Sequence, residues 1–243
     1  MALREEKFNK WFSAFILIGM AVAVTMTTAL KFGSSEAGRF MLALSAIGSL
    51  MGVLSTVCSA NGKIITFLFG LIDVSLYAAA CFHGHKYGNA FLHVMYFVPM
   101  QFVGFIQWKK MGHDRSGKSV RARRLSLRQW AGYLAFFSIG AVAAYLILAR
   151  FDKTSADFFI KTAVVLDVLP LMCNIIGQLL MSMAYMDQWI FWIGVNVTSI
   201  LMWSASLRGA EDSYALIYVI KYSFYLLNSI NGLRIWLRLS KPE

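Results

Sequence analysis

Eight stretches of about 20 residues, each nearly free of charge, limit what this chain can become: 11–30, 40–58, 63–82, 89–108, 130–149, 158–183, 188–207 and 213–236. A helix rises about 1.5 Å per residue, so about 20 apolar residues cross a hydrocarbon layer about 30 Å thick. Only helices and closed barrels satisfy their backbone groups in lipid. Three prolines and a scarcity of alternating strands argue against a barrel. Hydrophobic residues make up 58% of the 243 and charged residues 14%, with a mean hydropathy of +0.61. A soluble globule of this size cannot bury so much apolar surface, and a disordered chain does not carry it. The expectation is an all-α membrane protein of about eight transmembrane helices. After MALREEKFNK the first run resembles a signal peptide, but it is long enough to span and no clean small-residue cleavage site follows, so it is read as a helix.

The net charge of +11 does not point to nucleic acid. Eight of the 23 basic residues fall in the loop 109–128, beside apolar runs, which is the usual mark of a cytoplasmic loop. With eight spans, both termini share a side with the loops after the second, fourth and sixth. That side collects 15 Lys and Arg: Arg4, Lys7, Lys10, Lys63, the eight loop residues, Arg234, Arg238 and Lys241. The other side collects 6: Lys31, Arg39, Lys86, Arg150, Lys153 and Arg208. The positive-inside rule then places both termini in the cytoplasm.

Cys58, Cys81 and Cys173 lie in apolar runs without a short spacing and read as small packing residues. The four His at 83, 85, 93 and 113 form no ligand cluster. No metal, cofactor or disulfide framework is expected.

An internal repeat is visible. GFIQW (104–108) and GLRIW (232–236) each end a run with Gly and Trp four apart. Working back, Tyr77 falls opposite Trp203 and Asn61 opposite Asp187, a two-residue difference being absorbed near 83–88 and 208–215. The plan is an extra N-terminal helix (1–39), a three-helix unit (40–108), a basic loop and linker helix (109–157) and a second unit with the C-terminal tail (158–243). One linker span makes the units parallel, the 3+1+3 plan of transporters that hold substrate between two units. The polar loop 109–129 is the one candidate boundary.

Polar groups in hydrocarbon are costly, so their placement carries information. At about 100° per residue, Trp189, Trp192, Asn196 and Trp203 share one face. Asp167, Pro170, Asn174 and Gln178 share a face of the run before. The first unit offers Gly48, Gly52, Ser55 and Ser59, then Lys63, Thr66, Gly70, Asp73 and Tyr77, then Phe97, Gln101, Gly104 and Trp108. The last run offers Lys221, Tyr225, Ser229, Gly232 and Trp236, with Asn228 beside them. Small residues of this kind also serve close helix packing, and Trp at a span end also serves as an interfacial anchor, the reading given to Trp108 and Trp236 as well as to Trp11 and Trp130. Lys221 has Asp73 or Asp167 as a possible ion-pair partner. Packing alone does not require two Asn and a Gln at mid-depth, so Asn174, Gln178, Trp189, Trp192 and Asn196 read as a ligand site. Indoles suit a flat or cationic ring, and carboxamides suit an amide or hydroxyls. Without arginines in the spans a phosphate is poorly served. The chemistry favours a neutral or cationic aromatic with hydroxyls, a nucleoside over a nucleotide. No phosphate loop, HExxH or nucleophile elbow is present, so no catalytic residues and no enzyme are expected.

The stretch 174–196, with its WxxWxxxN element (Trp189, Trp192, Asn196) and upstream Gln178, resembles the Pnu-type bacterial vitamin transporters, as does YxxNxxxG (Tyr225, Asn228, Gly232). The resemblance covers about 40–236 and is nearest to that family's nicotinamide riboside carriers. It implies a SWEET-like 3+1+3 fold, to which the N-terminal helix is an addition. It also implies import of an unphosphorylated NAD precursor by facilitated diffusion, trapping by a cytoplasmic riboside kinase, a homotrimer and a bacterial inner-membrane location. The expected substrate-binding set is Trp189, Trp192, Asn196, Gln178, Asn174, Gln101, Tyr225, Asn228, Trp203 and Tyr77. A thiamine, other vitamin or sugar carrier on the same scaffold stays open, with a membrane-embedded enzyme or receptor more remote.

Overall fold

The computed structural model describes residues 2–30, 36–83, 87–111, 120–151, 162–206 and 215–240. Eight helices run through the described residues: α1 (Ala2–Leu30), α2 (Glu36–Ala60), α3 (Thr66–His83), α4, α5 (Leu127–Phe151), α6 (Thr162–Ser182), α7 (Gln188–Ser206) and α8 (Ala215–Leu239). Helix α4 passes from Tyr87–Leu92 through a π turn, His93–Phe97, into Val98–Lys110. Each helix falls on one expected run, but α3 begins at Thr66 and not at 63, because the turn after α2 takes up residues 61–65; the expected starts at 158 and 213 and the expected end at 207 lie outside the described residues. Among the described residues, three helices suffice by length and composition to cross a membrane, over Arg4–Ala29, Ala90–Lys110 and Leu127–Arg150. Shorter apolar stretches are described at Ala46–Ala60, Thr66–Ala79, Asp167–Ser182 and Gln188–Met202. The helices that carry them wall the interior.

Helix α1 lays Ile16 and Met20 against Val53 and Val57 of α2 and against Phe224 and Tyr225 of α8. Its Trp11 is 78% exposed, as an anchor should be. Helix α5 packs Phe137, Ala141 and Ala144 on Val164, Val168 and Met172 of α6. Trp130, expected to be an anchor, has protein partners: its indole N–H donates to Asp187 at 3.2 Å and its ring stacks on Phe191.

Helices α2–α3–α4 and α6–α7–α8 make matching contacts. Both α2 and α6 end on a left-handed residue, Gly62 (φ 65°) and Ala184 (φ 56°). Gly62 N–H donates to the Ser59 carbonyl and Lys63 N–H to Cys58; Ala184 N–H donates to Met181 and Tyr185 N–H to Leu180. These are two Schellman caps, each satisfying carbonyls that the helix end leaves open. Next, Gly104 of α4 meets the Phe67 ring so closely that a Cβ would come within 2.2 Å of it, and Gly232 of α8 meets Trp189 at 2.6 Å. Finally the indoles cross over. Trp108 donates to the Met181 carbonyl and Trp236 to the Ser59 carbonyl, both at 2.9 Å. Phe67, Trp108, Trp236 and Trp189 form one aromatic chain at 4.9, 5.5 and 6.2 Å. Trp108 and Trp236 are fully buried, so neither is an interfacial anchor.

These contacts set Ser59 against Met181 and Phe67 against Trp189. Asn61 then falls opposite Met183, one turn before Asp187, and Tyr77 opposite Ser199, one turn before Trp203. The Gly–Trp spacing aligns α4 with α8 only, and the hairpins that absorb the difference in length lie outside the described residues.

The loop expected to be a polar boundary is stitched into the basic end. Val120, Ala122 and Leu125 are buried while Arg121, Arg123 and Arg124 are exposed. Val120 N–H donates to Gly62 O, Ala122 N–H to Leu239 O, and Arg123 exchanges two bonds with Ala184 and Met186. Leu125 N–H donates to the Asp187 carboxylate at 2.8 Å. In an extended segment alternate side chains face opposite ways, which lets this strap be basic outside and apolar inside. A capping box of Ser126 and Gln129 then starts α5.

Candidate functional site

A cavity of about 410 Å³ opens between the two sets of helices, lined at its floor by Trp189 of the aromatic chain; the volume is typical of small-molecule sites. Helix α7 lines it with Trp189, Trp192, Asn196 and Ser199, and α6 with Gln178, Asn174, Pro170 and Asp167. Opposite, α3 contributes Gly70, Asp73 and Tyr77, and α2 contributes Gly52, Ser55 and Ser59. Helix α4 adds Gln101, Phe97 and His93, while α8 adds Ser229, Tyr225 and Lys221. Helical periodicity explains the convergence, because each set recurs every three or four residues on one face.

Of the ten expected site residues, eight line this cavity: Trp189, Trp192, Asn196, Gln178, Asn174, Gln101, Tyr225 and Tyr77. Asn228 does not reach it; the side chain is buried beside the site, its Nδ2 without a partner. The Trp203 side chain lies outside the described residues. Lys63, placed on the same stripe as Asp73, precedes the first turn of α3 and is exposed.

Several polar groups are held but not used up. Asn196 Nδ2 donates to Ser229 Oγ at 3.0 Å, which aims the amide and leaves its oxygen open to an incoming donor. Asn174 Nδ2 donates to the Pro170 carbonyl at 2.8 Å. Gln178 Nε2 reaches Ser182 Oγ at 3.4 Å, and that hydroxyl bonds the Gln178 and Met100 carbonyls. Trp192 Nε1 donates to Gln188 Oε1 at 3.4 Å. Three buried lining atoms have no partner: Gln101 Oε1, Trp189 Nε1 and Ser59 Oγ. Buried polar atoms are ordinarily bonded. One acceptor, one donor and one hydroxyl left open around a cavity make a set that a ligand with amide or hydroxyl groups completes.

Among the described lining residues the charges are Asp73, Asp167 and Lys221, with no arginine. The Asp73 carboxylate abuts α2 at Gly52, where a Cβ would lie 2.7 Å from Oδ2 and 3.0 Å from the Tyr225 hydroxyl. Lys221 Nζ lies 5.5 Å from the Tyr225 ring centre. The sequence marked these residues as buried charges but left open whether they belonged to an ion pair or to the site.

His93 escaped sequence reasoning, whereas Phe97 stood on the stripe with Gln101 but outside the expected binding set. The π turn they bracket shifts the register of α4 and brings both rings to the cavity; π turns recur at functional sites. His93 lies 4.6 Å from the Tyr77 ring and 4.8 Å from Phe97. Apolar periodicity gives no signal for such a turn.

The family described as nicotinamide mononucleotide transporter matches residues 42–238. The nicotinamide riboside transporter PnuC of Neisseria mucosa is 33% identical over 202 residues, covering 82% of this chain and 73% of that protein. PnuC of Haemophilus influenzae is 30% identical over 199 residues, covering 82% and 80%. The crystal structure of the vitamin B3 transporter PnuC superposes with a TM-score of 0.69 at 31% identity, over 94% of this chain and 91% of the other.

Proposed function

This chain belongs to the nicotinamide mononucleotide transporter family, and from that premise we propose that it carries nicotinamide riboside across the bacterial inner membrane. It is a membrane protein, and its relatives are named as transporters rather than enzymes.

The observation that carries the substrate choice is the charge of the cavity: two carboxylates, one ammonium and no guanidinium among the described lining residues. Nicotinamide riboside is a pyridinium monocation with a carboxamide and a ribose. It meets an acidic, indole-lined cavity without an uncompensated charge. The mononucleotide adds a phosphate, which calls for arginines or clustered basic residues. In this reading Trp192 and Trp189 face the pyridinium. Asn196, Gln178 and Gln101 bond the carboxamide or the ribose, while Asn174, Tyr77 and Tyr225 complete the enclosure.

Mechanistically, the crossed indole contacts support a SWEET-like 3+1+3 arrangement in which units 40–108 and 158–243 rock about the substrate. Residues 109–157 link the units and 1–39 add the outer helix. The 15 against 6 split of basic residues supports cytoplasmic termini. Facilitated diffusion fits spans that carry no periodic acidic relay. Trapping by a cytoplasmic riboside kinase and assembly as a homotrimer follow from the family resemblance.

Calorimetry on purified protein with nicotinamide riboside, its mononucleotide, nicotinic acid riboside and thiamine tests the substrate. The riboside should bind at least about tenfold tighter than the mononucleotide, a difference of about 1.4 kcal/mol. Equal or tighter mononucleotide binding would overturn the reading, and tightest binding of thiamine would favour the rival vitamin carrier. Flux into proteoliposomes should follow the riboside gradient alone. Uphill accumulation driven by a proton or sodium gradient, with no kinase present, would refute facilitated diffusion.

A further inference from the structure

Outside the cavity, at the basic end, a groove of about 440 Å³ lies along α8. Arg124, Arg234 and Arg238 line it together with Ile230, Leu233 and Leu237. Arg234 and Arg238 are one helical turn apart. Arg124 arrives on the strap, held by Nε to Ser240 Oγ at 2.8 Å and by Nη2 to the Leu237 carbonyl at 3.2 Å. Helix α1 supports the other two from behind: Arg234 bonds Asn9 and lies 4.7 Å from the Phe8 ring, and Arg238 pairs with Glu5. These bonds fix the guanidinium planes without exhausting their donors. Each fork has five N–H groups, of which two are taken on Arg124, three on Arg234 (one by Asn9 and two by Asn231 Oδ1) and one on Arg238. Among the described residues one carboxylate, Glu5, pairs here, with Arg238, against three guanidiniums, so the groove is positive. The partial negative charge of the last α8 carbonyls is covered by Arg124. Below the arginines, Ile230 is 52% and Leu237 38% exposed, continuous with the apolar outer surface.

A charged fork directly above an exposed apolar strip suits an amphiphile, since a soluble anion leaves the strip bare and a neutral lipid leaves the arginines without a counter-charge. We propose that this groove holds one anionic phospholipid. Its phosphate sits on Arg124, Arg234 and Arg238, and its acyl chains run past Ile230 and Leu237. The lipid then joins the strap, α8 and α1, three segments distant in sequence. The proposal does not depend on which substrate the cavity carries.

Native mass spectrometry of the detergent-purified, delipidated full chain tests it, with phosphatidylglycerol and phosphatidylcholine supplied at equal concentration. One phosphatidylglycerol should be retained, about tenfold or more in preference to phosphatidylcholine, and retention should fall as salt rises. The variant R124Q/R234Q/R238Q should lose that preference. Because Arg234 and Arg238 also hold α1, Ile230→Glu serves as a second variant: it touches none of these bonds, places a carboxylate in the groove and should weaken retention by a similar factor. Riboside binding by Ile230→Glu should match the parent protein, which separates failure here from failure of the substrate reading. Three outcomes would overturn the proposal: equal retention of both lipids, displacement of phosphatidylglycerol by millimolar inorganic phosphate alone, or variants that keep their lipid but change oligomeric state. The last would assign the groove to a second copy of the chain.

Discussion

The two sets of three helices agree at the basic end and diverge one turn above it. At the floor each set contributes a cap, a glycine under an aromatic ring and an indole that bonds the other set's helix end. Following the same register upward, Gly70 of α3 stands where α7 has Trp192, Val74 where it has Asn196, and Asp73 where it has Val195. Thr56 of α2 stands where α6 has Gln178. Volume is exchanged between neighbours: the space above Gly70 is taken by the Gln101 side chain, 2.6 Å from where a Cβ would be, while at the matching positions the second set has the large Trp192 and the shorter Ser229. A frame can therefore repeat itself while its lining does not, and an asymmetric cargo with a ring at one end and a sugar at the other needs an asymmetric lining.

The largest expected effect tests the agreement. Trp108→Ala and Trp236→Ala each remove a fully buried indole and one of the two hydrogen bonds that its partner carbonyl accepts, so each should destabilise by about 3–5 kcal/mol. Denaturant unfolding in detergent should give similar costs for the two. A cost for one and none for the other would break the equivalence of the floor.

The next tests the divergence. Trp192→Ala and Asn196→Ala should weaken riboside binding roughly 10- to 100-fold, losing a cation–π contact of about 2 kcal/mol or a hydrogen bond to a charged ligand of about 1.5–3 kcal/mol. Val74→Ala, at the position matching Asn196, should change affinity less than about twofold, as should Trp11→Ala on the outer surface. Calorimetry decides, and unchanged affinity in both site variants would mean that the WxxWxxxN stripe packs helices and the cargo binds elsewhere.

A third comparison separates satisfied from open indoles. Trp108→Phe keeps a ring but gives up one of the two hydrogen bonds to the Met181 carbonyl, so stability should fall by about 0.5–1.5 kcal/mol. Trp189→Phe removes an N–H that has no partner, so stability should hold while riboside affinity falls several-fold. Thermal unfolding with and without riboside reads both; a stability loss on Trp189→Phe equal to that of Trp108→Phe would place this N–H in the frame and not in the site.

The smallest effect concerns the caps. Gly62→Ala places a Cβ on a left-handed backbone and should cost about 1 kcal/mol. Ala184→Gly relieves that conformation but gives up a buried methyl, and the two effects should nearly cancel, leaving a change within about 0.5 kcal/mol.

The sequence by itself determined the number and order of the helices, the basic end and most of the cavity lining. Runs of about 20 apolar residues have few alternatives in lipid, and polar residues recurring at helical spacing share a face whatever the helix packs against. Eight of the ten expected site residues could be named on that basis. Tertiary structure decided what depends on a partner. Asn228 shares a helix with Tyr225 and Ser229, yet its rotation on α8 turns it into protein and away from the cavity. Trp108 and Trp236 look like interfacial anchors until two helix ends distant in sequence present carbonyls to them. The strap reads as a polar linker because its apolar residues are few; the carbonyls of Gly62, Ala184 and Leu239 and the Asp187 carboxylate, brought together by the fold, give its backbone somewhere to bond. The π turn brings His93 to the site by a backbone shift that side-chain periodicity does not encode. Periodicity fixes which face of a helix a residue occupies, whereas packing fixes what that face meets.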